Sequence, residues 1–109
     1  MNEFSACFVT APSMEEARAL ARKLLEARVV ACVNLVPAVE SLYWWEGVVE
    51  EGREVLMILK TRTDRLADLV ARVREHHPYS VPEVISVPLG PGNPDYLAWV
   101  AAEVPPPGP

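Results

Sequence analysis

Hydrophobic and polar positions change their period several times along the chain. Residues 3–11 (EFSACFVTA) are rich in β-branched and aromatic side chains, which predicts a first strand that ends before Pro12. The next stretch repeats apolar residues at a helical period, and Ser13 followed by Glu16 has the spacing of a capping box at a helix start. The apolar stripe of this predicted helix consists of Ala17, Leu20, Ala21 and Leu24.

Two long strand patterns follow, and a tight turn joins them. Residues 30–45 form the first, but Pro37 cannot donate a ladder hydrogen bond, so the strand must be bulged, unpaired or on an edge there. Residues 48–61 form the second, after a turn at residues 46–47, and Gly52 is a candidate bulge. The alternating apolar side chains assigned to one face of the first strand are Val33, Leu35, Val39, Tyr43 and Trp45.

The length of this hairpin bears on assembly. About fifteen residues at ~3.3 Å each span roughly 50 Å, so the hairpin must project beyond its own domain. Its outer half carries Tyr43, Trp44 and Trp45. A two-stranded ribbon is marginal in water, and exposed aromatic side chains favour burial against another chain. The pattern therefore predicts a homo-oligomer.

The second half of the chain repeats the alternation of helix and strand. Residues 63–77 have a helical period with Thr63 as the expected N-cap, and residues 82–90 predict a short strand. Asn93 and Pro94 have the preferences of an N-cap and a first helical residue, which predicts a last helix. The apolar stripe of the middle helix consists of Leu66, Leu69, Val70 and Val73.

This order of elements is typical of an α+β ferredoxin-like sandwich, βαββαβ with a C-terminal helix, in which helices cover one face of an antiparallel sheet. With the strand order 4-1-3-2, Cys7 and Cys32 lie on strands that are not neighbours, too far apart for a disulfide. We expect one domain over residues 1–104 and a Pro-rich tail over residues 105–109.

Composition excludes several functional classes. The 109-residue chain has a net charge of −5, and its 10 Lys and Arg residues are scattered among 15 acids, which argues against nucleic-acid binding. The N-terminal segment lacks the basic start of a signal peptide, and no apolar run approaches the ~20 residues of a membrane span. The two cysteines lie in apolar runs, as is usual in a reducing cytosol. We expect a cytoplasmic protein with no nucleic-acid or membrane partner.

The only histidines, His76 and His77, are adjacent and precede Pro78. Neighbouring helical side chains diverge by about 100°, so two helical imidazoles do not easily share a metal ion. Pro78 disfavours a helical backbone at His77, however, which brings the two rings closer in direction. The alternative is that both lie in the last helical turn and complement its dipole. Copper or zinc requires at least one further ligand, which the sequence does not assign.

Four segments, ARVVACVNLVPAVESLYWWEG, EVLMILKTR, HHPYSVPEV and YLAWV, together resemble the CutA family of divalent-cation tolerance proteins. The match runs from about Val9 to Val100. The resemblance implies the ferredoxin-like fold and a homotrimer whose hairpins pack around a three-fold axis. It also implies a cytoplasmic role in heavy-metal tolerance with copper(II) as ligand, and no established enzymatic reaction.

The resemblance further implies particular site residues. The copper ligands proposed in bacterial members match His76 and His77, together with a cysteine at the end of the first strand, where this chain has Val9. Cys7 lies two residues earlier, about 6–7 Å away on the same face of a strand. The family pattern also includes residues that we expect to line a cleft between subunits, namely Ser41, Tyr43, Trp45, Lys60, Tyr79, Pro82, Glu83 and Trp99.

Two hypotheses about function follow. In the first, the protein is a trimeric metal-binding protein of cation tolerance. In the second, it is a trimeric small-ligand sensor or scaffold, similar in fold to the PII signalling proteins, that uses the cleft between subunits. Lys60, Tyr79 and Glu83 are then the polar set that fixes a small anion or metabolite among apolar neighbours.

Overall fold

Antiparallel pairing of four strands organises the chain. The computed structural model describes residues 2–108, and no helix in this part is long and apolar enough to cross a membrane. The sheet order β2-β3-β1-β4 confirms the α+β ferredoxin-like prediction. In chain order the elements are β1 (Phe4–Ala11), α1 (Met14–Glu26), β2 (Cys32–Trp45), β3 (Val48–Arg62), a 3-10 turn (Thr63–Arg65), α2 (Leu66–His76), β4 (Val84–Pro88) and α3 (Pro94–Glu103).

Helices α1 and α2 cover one face of the sheet through a single apolar core. Alternate residues of β1 and β3 point into it, because side chains on a strand alternate between faces with a period of two. Burial of a large apolar side chain there stabilises the fold by about 1.5–3 kcal/mol. The largest fully buried side chains of this core include Val9, Leu24, Met57, Leu59, Leu69 and Val73.

The predicted caps of the outer helices are confirmed. The N–H of Glu16 donates to Ser13 Oγ at 3.2 Å at the start of α1. At the start of α3 the N–H of Asp95 donates to Asn93 Oδ1 at 3.0 Å, with Pro94 as the first helical residue. Both side chains satisfy a backbone donor that has no partner within the helix.

Helix α3 packs on the opposite face of the sheet from α1 and α2. Its Val100 is buried in a second small cluster with Ala31 and Val104, against which Phe4 packs. Phe4 lies an odd number of residues from Val9, so the two side chains point to opposite faces of β1. The extra helix therefore covers the start of β1 and leaves the other end of this face open.

The β2-β3 hairpin projects beyond the rest of the sheet. Strand β1 ends at Ala11, which pairs with Val55, so residues 48–54 of β3 pair with β2 alone. The predicted turn is confirmed at Glu46 and Gly47, whose φ angles of 50° and 84° are those of a type I′ hairpin turn. The outer half of the hairpin is a two-stranded ribbon.

A β-bulge in β2 changes the direction of the side chains in this ribbon. Val36 pairs with Leu56, whereas Val39 pairs with Glu54, so β2 contains one residue more than β3 between these two pairs. A one-residue insertion reverses the face to which every following side chain points.

Pro37 and Ala38 form the bulge. Pro37 has no N–H to donate, and Ala38 adopts the left-handed conformation with φ of 60°. Beyond it, Tyr43 and Trp45 face away from the core against which Leu35 packs. The prediction of one apolar face along the whole strand is therefore wrong, whereas the predicted irregularity at Pro37 is confirmed.

Two predicted local features differ in the structure. Gly52 is not a bulge, because it pairs in regular register with Ser41. Thr63 is not the N-cap of the middle helix, since its hydroxyl is hydrogen-bonded to Ser5 Oγ at 2.7 Å and α2 begins only at Leu66. In both cases a partner on a distant strand determines the local geometry.

The last regular element ends at Glu103. Residues 105–108 of the predicted tail form neither helix nor strand, and Arg65 Nη1 donates to the carbonyl of Pro105 at 2.7 Å. The predicted domain and the predicted tail each include one terminal residue outside the described part of the chain.

Substitution of Ala38 tests the backbone strain at the bulge. A left-handed conformation costs a residue with a Cβ about 1–2 kcal/mol, and glycine avoids this cost. We expect Ala38→Gly to raise the free energy of unfolding by about 0.5–1 kcal/mol in guanidinium titrations. The control is Ala71→Gly at an exposed position within α2, which should lower it by about 1 kcal/mol. Destabilisation by both substitutions contradicts the assignment of strain to Ala38.

Candidate functional site

The loop after α2 is fixed to the end of β1 by a buried histidine. Helix α2 ends at His76, and His77 is extended with φ of −79° and ψ of 140°, as Pro78 predicts. The Nε2 atom of His77 lies 2.6 Å from the carbonyl oxygen of Thr10. Its Nδ1 accepts the N–H of Tyr79 at 3.0 Å. Because a carbonyl oxygen only accepts, Nε2 is the ring nitrogen that carries the hydrogen.

The two histidines therefore have different surroundings. Both ring nitrogens of His77 are hydrogen-bonded within the chain, so ligation of a metal ion requires one of these bonds to break. The ring of His76 is partly exposed, and its Nε2 lies 3.9 Å from Glu75 Oε1. Within residues 2–108 no three His, Cys, Asp or Glu side chains are grouped as a metal site. The paired-histidine site stays a prediction.

The end of the first strand offers no metal ligand at the surface. Val9 is completely buried in the core beneath the helices. Cys7 is also buried, and this burial raises the pKa of its thiol from 9.0 to about 11. A buried neutral thiol is a poor ligand, because metal ions bind the thiolate. Cys7 and Cys32 are both free, and β3 separates their strands, as predicted.

A cleft of about 760 Å³ lies between the part of the hairpin beyond the bulge and the loop of residues 78–83. This volume lies within the usual range of ~300–1,000 Å³ for small-molecule sites. Residues on the hairpin, at the end of β1 and on the loop line it, namely Thr10, Glu40, Ser41, Leu42, Tyr43, Trp45, Glu54, Pro78, Tyr79, Ser80, Val81 and Glu83.

Tyr79 joins the loop to the hairpin. Its hydroxyl donates to Glu54 Oε2 at 2.9 Å. Burial raises the pKa of Tyr79 well above its usual value, and the hydrogen bond to Glu54 and neighbouring negative charges raise it further. The phenol thus remains a hydrogen-bond donor throughout the physiological pH range. Its ring also packs against His77, with centroids 4.8 Å apart, so the fixed histidine positions one wall of the cleft.

The bulge in β2 supplies the opposite wall. Ser41, Tyr43 and Trp45 lie beyond it and share a face with Glu54, because Val39 pairs with Glu54 and each of the three is an even number of residues from Val39. Without the extra residue at the bulge, these side chains would point to the face covered by α1 and α2. The strained backbone at Ala38 therefore aims them into the cleft.

Within one chain, the structure brings together part of the residue set that the sequence predicts for a cleft between subunits. Lys60 is outside the cleft, and its ammonium donates to Asn34 Oδ1. Trp99 is also outside, on α3, where its ring packs against Tyr96 with centroids 5.6 Å apart. Pro82 is not among the lining residues either. The predicted residues that line the cleft within one chain are Ser41, Tyr43, Trp45, Tyr79 and Glu83.

Sequence reasoning misses Thr10 and Glu54. Glu54 is one of several acids on the hairpin, and nothing in its immediate neighbours distinguishes it from the solvated ones. The signal is its partnership with Tyr79, 25 positions away, and this requires the position of the loop. Thr10 contributes through a backbone carbonyl, which carries no sequence signature.

Comparison with known proteins extends this description. The model of the family described as CutA1 divalent ion tolerance protein matches residues 5–103. The chain belongs to this family. It is 48% identical over 101 residues to "Protein CutA homolog" of Xenopus laevis, with 93% of this chain and 67% of that protein covered. It is 46% identical over 92 residues to "Divalent-cation tolerance protein CutA" of Thermus thermophilus, with 85% and 89% covered.

Solved structures agree with the fold. The crystal structure of CutA1 from Oryza sativa superposes with a TM-score of 0.92 at 40% sequence identity, and 95% of each chain is covered. The match to some relatives is partial in length, since the chain spans 54% of the mouse and human CutA proteins.

The raised pKa of Cys7 predicts a pH-dependent stability. The folded state holds the thiol proton up to about pH 11, whereas the unfolded chain releases it near pH 9.0. The contribution of this thiol to stability is therefore complete below pH 9 and is lost as the pH rises towards 11. We expect the wild type to lose stability relative to Cys7→Val between pH 8 and pH 11, because only the wild type has this thiol.

Urea titrations at the two pH values measure this difference, and other titrating groups cancel in it. A Val9→Ala variant is the control, because Val9 lies in the same core but has no titratable group, so its difference from the wild type should not change over this pH range. A Cys7 difference that is constant over this pH range contradicts the prediction.

Proposed function

We propose that the protein acts in divalent-cation tolerance as a cytoplasmic homotrimer that binds a divalent metal ion and catalyses no reaction. Membership of the CutA1 divalent ion tolerance family supports the role in tolerance. The observation that carries the proposed assembly is the exposed aromatic ribbon. The proposed metal site rests on the accessible imidazole of His76, and the proposed location rests on the free cysteines.

The hairpin exposes large apolar side chains that a single chain does not cover. Trp44 is 75% exposed and Leu42 is 65% exposed. Strands β2 and β4 are the two edges of the sheet, so each also presents unpaired backbone groups. Contact with other copies of the chain buries both kinds of surface, and this supports a homotrimer packed through its hairpins.

His76 is the better candidate for the metal ligand. Its imidazole is partly exposed at the end of α2, beside the carboxylate of Glu75. Copper(II) accepts imidazole nitrogen and carboxylate oxygen together. His77 instead holds the loop through its two hydrogen bonds. One chain supplies copper here with two donors, the His76 imidazole and the Glu75 carboxylate. Water or another subunit fills the remaining coordination positions.

The proposed cytoplasmic location rests on the cysteines. Both are free in the structure, as thiols are in a reducing compartment. Names of relatives point to several compartments, since the rice relative is "Protein CutA 1, chloroplastic" and the Archaeoglobus fulgidus structure is described as periplasmic. Family membership therefore does not determine location.

A second candidate function is a trimeric small-ligand sensor or scaffold, similar to the PII proteins. The observation that favours it is the cleft of about 760 Å³, with Tyr79 and Glu83 in its lining. Within one chain Lys60 lies outside this cleft, where its ammonium donates to Asn34.

Copper titration of single histidine variants tests the metal proposal. We expect His76→Ala to lower copper(II) affinity at least about tenfold, the equivalent of one lost ligand at ~1.4 kcal/mol. His77→Ala should retain most of the affinity but lower the free energy of unfolding by about 2–3 kcal/mol, since it leaves buried polar groups without partners. Isothermal titration calorimetry and guanidinium titration measure the two quantities. Equal copper affinity of His76→Ala and the wild type contradicts the proposal.

Sedimentation equilibrium tests the assembly. The wild type should have three times the chain mass of 12.1 kDa at micromolar concentration. Trp44→Glu should weaken association by ~2 kcal/mol or more, as expected for a central aromatic contact. The control is Leu25→Glu, which changes a less exposed apolar residue on α1, outside the hairpin, and should leave the trimer intact. A wild-type monomer rules out the proposed assembly.

A further inference from the structure

The lining of the cleft is negatively charged. Among the lining residues there is no Lys or Arg, whereas Glu40, Glu54 and Glu83 all contribute carboxylates. None of these three forms an ion pair within residues 2–108. The cleft thus presents formal negative charge without a cation of the described chain to balance it. An anionic ligand is disfavoured there by like-charge repulsion.

The aromatic walls favour the same sign of ligand. Tyr43, Trp45 and Tyr79 line the cleft, and the faces of such rings carry partial negative charge that attracts a cation. Tyr43 and Trp45 are 47% and 44% exposed in the single chain, so contacts within that chain leave part of each ring uncovered. Aromatic faces also bury hydrocarbon, which an inorganic ion does not supply.

The position of Glu54 is fixed before any ligand arrives. Tyr79 donates to its Oε2 atom, which leaves Oε1 as an acceptor. Because the pKa of Tyr79 is raised by burial and by Glu54, the phenol adds no charge of its own. The hydrogen bond therefore orients the carboxylate and leaves its charge available to a ligand.

A bare metal ion does not suit this arrangement. A divalent ion needs several oxygen or nitrogen ligands within about 2.0–2.6 Å, and no three acidic, His or Cys side chains in residues 2–108 are grouped to provide them. Three carboxylates and aromatic rings in a cleft of about 760 Å³ suit a larger cation with several N–H donors and an apolar part.

We propose that the cleft binds a small protonated organic amine, with its ammonium group on the carboxylates of Glu54 and Glu83 and its apolar part against Tyr43 and Trp45. This inference rests on the second candidate function, in which the cleft is a ligand site. It replaces the anion suggested by the sequence with a cation, because the structure places Lys60 outside the cleft and Glu54 inside it.

Three ligands of similar size and different charge test whether the cleft prefers a cation. Benzylamine is a cation at pH 7, benzyl alcohol is neutral and benzoate is an anion, and all three carry the same ring. Titrations of the protein, followed by saturation-transfer NMR and calorimetry, should give benzylamine an affinity at least about tenfold above the other two, since neither of them can form an ion pair with a carboxylate. Added salt should weaken benzylamine binding, because the carboxylates are partly solvated.

Glu→Gln variants, which remove one negative charge each, test whether Glu54 and Glu83 bind the amine. Glu54→Gln keeps an acceptor for the Tyr79 hydroxyl, so it should fold normally, and it should lower benzylamine affinity about fivefold or more. Glu83→Gln should do the same. The matched control is Glu26→Gln, which removes the same charge from an exposed position on α1 outside the cleft and should leave the affinity unchanged. Thermal unfolding of each variant separates a binding loss from a folding defect.

The outcomes distinguish this inference from the metal proposal. Equal or tighter binding of benzyl alcohol or benzoate overturns it, as does the absence of benzylamine binding or wild-type affinity in both folded Gln variants. Failure of His76→Ala to affect copper binding leaves these results unchanged, since His76 does not line the cleft. Loss of benzylamine affinity in the Gln variants with unchanged copper affinity supports the cleft as a separate site.

Discussion

One extra residue in β2 determines what the hairpin presents to each side of the sheet. The bulge at Pro37 and Ala38 lies where β2 leaves the core and becomes half of a two-stranded ribbon. Before the bulge, the alternation of side chains along the strand places Leu35 against the core beneath the helices. Beyond it, the same alternation sends Tyr43 away from that core. The cleft exists because the strand changes its side-chain register there.

The loop after α2 depends on a similar constraint. Pro78 ends the helix and gives His77 an extended backbone, and this conformation directs the ring to the carbonyl of Thr10. The same ring accepts the N–H of Tyr79, which in turn positions its phenol against Glu54. A residue type associated with metal ligation here holds a loop in place. The chemistry of imidazole allows both roles, and the number of free ring nitrogens distinguishes them.

Much of the fold follows from the sequence because its determinants are local. Ser13 and Asn93 cap their helices through neighbours two or three residues away, and the turn at Gly47 needs only its own backbone conformation. The strand order follows from the alternation of elements. Each of these features depends on a short segment, so the residues of that segment suffice to predict it.

The features that sequence reasoning gets wrong depend on distant partners. The hydroxyl of Thr63 bonds to Ser5 on another strand, so the residue does not cap α2. Lys60 and Glu54 lie on the same strand, yet the ammonium bonds to Asn34 and the carboxylate to Tyr79. Six residues of β3, roughly 20 Å, separate the two side chains, so within one chain only Glu54 reaches the cleft.

Alternation along the ribbon also separates two surfaces that the sequence groups together. Tyr43, Trp44 and Trp45 are consecutive, so on a strand Trp44 points to the opposite face from its two neighbours. Tyr43 and Trp45 line the cleft, whereas Trp44 does not and is the most exposed of the three. A contact that another copy of the chain made through Trp44 alone would therefore leave the aromatic wall of the cleft open to a ligand.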